Sequence, residues 1–281
     1  MSKSFRLIVL TVLALLLVSV STLAQTGVTS SIKNPLQIAI LHWYKANLTT
    51  TFAVGSGPYG VAFDGTNIWV TNQSSNSVAK LRANDGKLLG TFPVGEQPFS
   101  VAFDGANIWA ANFGSNNVTK LRASDGAVLG TFAVGLLPIA VAFDGANIWV
   151  ANQNSNNVTK LRASDGKVLG TFAVVNQPQG VAFDGANIWV AILGSSVVTK
   201  LRASDGKPLG TFGVGRTPQG VTFDGANIWV ANQSSNNVTE LRASDGKLLG
   251  TFAVGGSPTF VAFDGANVWV TNNRSNTVSK L

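Results

Sequence analysis

"FDGANIW", residues 103–109, returns unchanged at 143–149, 183–189 and 223–229. One-substitution versions stand at 63–69 (FDGTNIW) and 263–269 (FDGANVW), so the heptapeptide is written six times at a spacing of 40 residues. A catalytic motif is normally needed once, whereas a stacked structural module is needed as often as it is stacked. Each repeat holds four short β-rich runs. In the first they are A (60–63, GVAF), B (67–72, NIWVTN), C (78–83, VAKLRA) and D (87–94, KLLGTFPV). Asp-Gly separates A from B and C from D, the residue pair that tight hairpins favour. Ser/Asn-rich segments join B to C, and Gly/Pro segments join D to the next A. Four strands in forty residues make a propeller blade. The sequence therefore predicts an all-β, six-bladed β-propeller with four antiparallel strands per blade.

Residue patterning says how the blades stack. Pairing A with B across Asp64–Asn67 sets Phe63 opposite Ile68, Ala62 opposite Trp69 and Val61 opposite Val70. One face carries Val61, Phe63, Ile68 and Val70; the other carries Ala62 and Trp69. Neither face is polar, and a sheet apolar on both faces must be covered on both. The Trp face of one blade is therefore expected to meet the Val/Phe/Ile/Val face of the next. Trp69, Trp109, Trp149, Trp189, Trp229 and Trp269 are the repeated anchors, each burying about 200 Å².

The last repeat stops after run C, at TVSKL (277–281), while NLTTTFAVG (47–55) aligns with run D and its following glycine, KLLGTFPVG (87–95). The expectation is a ring of 47–281 closed by an N-terminal outer strand, three strands of the last blade coming from one end and one from the other. An open stack would leave apolar edges to aggregate.

Ahead of the repeats, Lys3 and Arg6 precede an apolar run (7–24) ending in small residues, with Thr22 and Ala24 at −3 and −1 of a cleavage site. Residues 1–24 read as a signal peptide, 25–46 as a lead segment, and the mature chain as periplasmic or secreted. The alternative is an uncleaved membrane anchor, since 18 apolar residues just span a bilayer. The chain has no Cys, so neither disulfides nor thiolate metal sites enter. Formal charge is +7; without Lys3 and Arg6, 18 basic and 13 acidic residues remain, or +5. The basic residues come one set per repeat (Lys80, Arg82 and Lys87, for example) and read as solvated surface. Nucleic acid, which needs a concentrated patch, is not an expected partner.

Most apparent chemical motifs dissolve on comparison between copies. GSGPYG (55–60) matches a dinucleotide-binding pattern, but Pro58 interrupts it, a strand follows, and the other copies lose it. The FDG aspartates (Asp64, Asp104, Asp144, Asp184, Asp224, Asp264) read as turn formers rather than a calcium ring. Arg82 and its copies are expected to pair weakly with the C–D turn aspartates. Asn-Val-Thr at 117–119, 157–159 and 237–239 matches a glycosylation sequon of little weight. His42 is the only histidine and precedes the repeats; Glu96 and Glu240 are the only glutamates. No catalytic residue, metal ligand or cofactor is expected on the propeller.

Variation gathers in two places, the D–A links and the B–C loops, which an up-and-down blade puts on one face. The individual residues there are Tyr59, Glu96, Phe99, Phe113, Gln179, Ile192, Arg216, Gln219, Phe260 and Arg274. They form a candidate ligand face. Drift in unconstrained loops is the competing explanation.

Through IWVTNQSSNSVAKL (68–81) and GPYGVAFDG (57–65), the chain resembles the YVTN-type bacterial β-propeller repeats and is similar to the propeller of virginiamycin B lyase, a streptogramin-opening enzyme. The lyase resemblance implies a magnesium ion and a histidine–glutamate constellation on the loop face. Those loops carry no His, and Glu96 is their one glutamate. Three functions remain in view: an exported, monomeric, non-enzymatic scaffold binding a protein, peptide or glycan; a lyase- or lactonase-like enzyme; and a purely structural envelope protein.

Overall fold

The computed structural model describes residues 51–281. The signal peptide, the lead segment with His42, and residues 47–50 lie outside the described residues. The first blade is the meander β1 (Pro58–Phe63), β2 (Asn67–Asn72), β3 (Ser77–Arg82) and β4 (Leu88–Pro93), all antiparallel. Four more four-stranded sheets follow in the same order, and the sixth is built of β21 (Pro258–Phe263), β22 (Val268–Asn272) and β23 (Thr277–Lys280). The protein is a six-bladed propeller. The register in β1–β2 is the expected one: Phe63 faces Ile68, Ala62 faces Trp69 and Val61 faces Val70.

The interfaces between blades also follow the patterning. Trp69 of blade 1 sits in a core with Val101, Ile108 and Leu121 of blade 2, walled by Phe92 and Phe103. The same set recurs from blade 2 to 3, 3 to 4 and 4 to 5. Within each set the Trp ring stacks at a tilt on the Phe of its own outer strand, centroids 5.3–5.7 Å apart.

The FDG aspartate is more than a turn residue. Asp104 Oδ1 accepts the backbone N–H groups of Ala106 and Asn107 (2.9 and 2.6 Å), and Oδ2 accepts the Trp109 indole N–H at 2.8 Å. The carboxylate thus fixes the hairpin and orients the tryptophan that the next blade covers. Burial works to raise its pKa, but the bonds from Trp109, Ala106 and Asn107 outweigh it, and the carboxyl lies below its ordinary value. Arg82–Asp85 and its copies are exposed i,i+3 ion pairs, the weak turn support expected of them.

One sequence reading needs correction. Lys80, Lys120, Lys160 and Lys200 are not solvated surface; each is buried. Lys80 Nζ donates to the carbonyls of Ala123 (2.7 Å) and Ser124 (3.0 Å) in the next blade and lies over the Trp69 ring. The copies repeat this bridge. Carbonyl oxygens and a ring face replace the water around the ammonium, so burial becomes tolerable. In blade 5 the position is Glu240, and it accepts from Asn227 Nδ2 of its own blade instead (2.9 Å).

At the ring's end the sixth sheet has three hydrogen-bonded strands, and residues 51–54 carry no ladder. Even so, those residues stand where an outer strand belongs. Phe52 lies against Gly86, where its ring leaves no room for a Cβ, as Phe92 lies against Gly126. Val54 packs on the Val70, Ala79 and Leu81 core of blade 1, the role Val94 plays for blade 2. Residues 51–54 are thus seated on the first blade, and within the described residues they are not laddered to β23.

Candidate functional site

Each D–A link is clamped to a B–C loop on the same face. Phe113 N–H donates to Gln97 O and Gln73 N–H to Gly57 O, and Asn76 Oδ1 accepts the Gln97 N–H. The link residue before each proline is left-handed, and in blades 2 to 6 it is not glycine: Gln97, Leu137, Gln177, Thr217 and Ser257 have φ between 50° and 57°. Such backbone persists only when its surroundings hold it. This rim is therefore built rather than loose.

Beyond the link, every inner strand carries a one-residue bulge. Between the pairs Pro58–Asn72 and Val61–Val70, β1 contains one residue more than β2, and the other inner strands shift at the same place. Bulges re-aim side chains. Here the second and third strand residues both line the central channel, a cavity of about 730 Å³.

Those lining positions differ from blade to blade in an ordered way. The second residue is Tyr59, Phe99 and Ile139 in blades 1 to 3, then Gln179, Gln219 and Thr259 in blades 4 to 6. Phe260, at the third position of blade 6, closes the aromatic arc. Tyr59 lies 3.8 Å from Phe99 and 5.6 Å from Phe260 by ring centroids, and Phe99 lies 5.3 Å from Phe113 at the rim. Burial pushes the Tyr59 hydroxyl above its usual pKa. On the opposite arc, Gln219 Nε2 donates to Gln233 Oε1 at 3.2 Å. Gln179 is 7% exposed, lines the cavity, and makes no side-chain hydrogen bond among the described residues. Gly180 brings it close to blade 5, since a Cβ there would stand 2.3 Å from Gln219 O.

Of the ten loop-face residues read from the sequence, the channel gathers Tyr59, Phe99, Gln179, Gln219 and Phe260, with Phe113 beside them. Glu96, Arg216 and Arg274 belong to the outer loops and line none of the channel. Ile192 is a correction: it is fully buried in the interface between blades 3 and 4. It replaces the asparagine that Gly55, Gly95, Gly135, Gly215 and Gly255 accommodate in the other blades, and Val175 fills the vacated glycine position. Thr199 Oγ1 is left without a partner as a result. Gln233, Ile139 and Thr271 also line the channel and were missed. The period could have found Ile139, which is the copy of Tyr59 and Phe99.

Among the described residues no charged side chain lines the cavity. Among the described residues no three His, Cys, Asp or Glu side chains come together as a metal site would need. The donor set therefore does not fit the magnesium that the lyase resemblance implies.

Neither a protein-family model nor a curated protein matches the chain. Solved structures do. A streptogramin B lyase matches at 17% identity and a TM-score of 0.68, covering 80% of this chain and 83% of the other. The chain shares the β-propeller fold of that lyase. A functionally unknown protein from Desulfotomaculum acetoxidans DSM 771 matches equally well, at 17% identity and 0.68 over 77% and 79%. Kuenenia stuttgartiensis hydrazine synthase gives 16% and 0.57 over 83% of this chain and 97% of that one. At these identities the lyase, like the other two, bears on architecture alone.

Proposed function

We propose that the protein is an exported, monomeric, non-enzymatic binding module that takes its ligand at the channel mouth on the link-and-loop face. The carrying observation is the sorted mouth: identical blades present aromatic residues on one arc and amides on the other, over a cavity of about 730 Å³. Pockets of this volume, mostly apolar with a few placed polar groups, are the common form of a ligand site. Loop drift would not sort residues by polarity. Export rests on Lys3, Arg6 and the apolar run that follows them.

The test is a thermal-shift screen of the full chain against oligosaccharides and short peptides, beside Gln219→Trp, which fills the mouth. A shift lost in the filled variant, with the ligand recovered unchanged by mass spectrometry, supports the reading. A shift that survives filling, a chemically altered ligand, or no shift with either class counts against it.

A further inference from the structure

The mouth is chemically two-sided, and so is a sugar. A pyranose ring offers an apolar face of C–H groups and an equator of hydroxyls, each both donor and acceptor. Tyr59, Phe99 and Phe260 form a near-continuous aromatic surface on one side. Across the channel stand Gln179, Gln219 and Gln233, whose amides each put a carbonyl acceptor beside an N–H donor. That pairing suits two neighbouring hydroxyls. We propose that the mouth is a carbohydrate subsite that takes one neutral hexose ring of an oligosaccharide between the aromatic arc and the amide arc. The proposal rests on the channel-mouth reading above and narrows it to one ligand class.

Gln179 supplies an independent pointer. More than nine-tenths of this residue is withdrawn from solvent, yet its amide finds no partner among the described residues. The amide atoms are not themselves fully buried, so they face the channel solvent, where a ligand hydroxyl can take the place of water. Gln219 and Gln233 already hold one another, so little side-chain freedom is lost when they meet a ligand. Charge completes the argument. An ionic ligand would enter a cavity without a counter-charge, an unfavourable transfer. A neutral sugar meets no such cost, whereas a peptide brings termini and charged side chains.

The experiment is calorimetry on the full chain with cellohexaose, maltohexaose and chitohexaose as neutral probes, hexagalacturonate as the charged probe, and the short peptides of the screen above. At least one neutral hexaose is expected to bind with a Kd below about 1 mM. Phe99→Ala should weaken it by about tenfold or more. Gln179→Ala should weaken it measurably, and Lys87→Ala, on an outer turn, should leave it unchanged. Circular dichroism melts establish that each variant is folded; should Phe99→Ala melt early, Phe99→Leu keeps the core and still removes the ring face. Three results overturn the proposal: no neutral hexaose binding, equal or tighter binding of hexagalacturonate, or binding that neither Phe99 nor Gln179 substitution affects. If the hexaoses fail and a peptide is held in a manner that Gln219→Trp abolishes, the binding-module reading stands and the sugar assignment falls.

Discussion

Trp149 and Trp269 hold the same place in blades 3 and 6, yet the first is fully buried and the second is 40% exposed. The difference lies in what stands opposite. Trp149 is covered by blade 4, by its own outer-strand Phe172 and by the carbonyl-bound stem of Lys160. Across the seam between blades 6 and 1, Val61 and Phe63 remain 62% and 56% exposed, and Val278 on the edge strand 59%. Phe52 and Val54 are on the blade 1 side of that seam, while β23 has no second ladder among the described residues. Near-identical heptapeptides thus give a dry interface or a wet one according to whether the next blade packs against them. Burial here is a property of the neighbour, and the repeat only makes it available.

Four measurements break or sharpen this comparison. Trp149→Ala should cost about 3–5 kcal/mol in chemical denaturation, the usual range for deleting a buried Trp. Trp269→Ala should cost far less if the seam is open in solution; equal losses would show a ring sealed all round. Next, laying 51–53 on β23 in the register of the other blades sets Phe52 opposite Val278, as Phe172 stands opposite Val158. In a chain without other cysteines, Phe52→Cys with Val278→Cys should form a disulfide under oxidation and stabilise by about 2–4 kcal/mol. Failure to cross-link would mean that the borrowed strand stays on blade 1 without a ladder. Third, Lys120→Met strips a donor from two carbonyls and should cost about 1–3 kcal/mol, whereas Lys280→Met should be close to neutral.

The smallest effect concerns pH. Asp104, Asp144 and Asp184 are held below their ordinary pKa in the folded state. Their contribution is therefore complete above the unfolded value, about 3.9, and is lost as pH falls through the lower folded one. Melting temperature should drop as pH falls from about 4 toward those depressed values, and Asp144→Asn should flatten that slope. An unchanged slope in the variant would mean that the indole bond does not depend on the charge.

The sequence made the blades legible because period, Asp-Gly turns and alternation all agree. Register and stacking direction came from the pairs Phe63–Ile68, Ala62–Trp69 and Val61–Val70. What escaped was chemistry between repeats. Lys80 looks solvated because its acceptors, Ala123 and Ser124, are more than forty residues away in the next blade. The Asp–Trp indole bond was hidden behind an adequate turn explanation. In the site, variable positions were visible, but the bulge that turns two residues per strand into the channel has no sequence mark of its own. Ile192 misled because a loop position that departs from consensus looked like surface, whereas Val175 had changed with it.

The lysine bridges all point the same way round the wheel, each blade reaching forward and none backward. That gives blades 1 to 5 a direction, which Glu240 does not continue, since it is bonded to Asn227 of its own blade. A forty-residue cassette spliced between blades 2 and 3 would find an outstretched ammonium behind it and a waiting pair of carbonyls before it. The same cassette spliced after blade 5 would be met by a carboxylate.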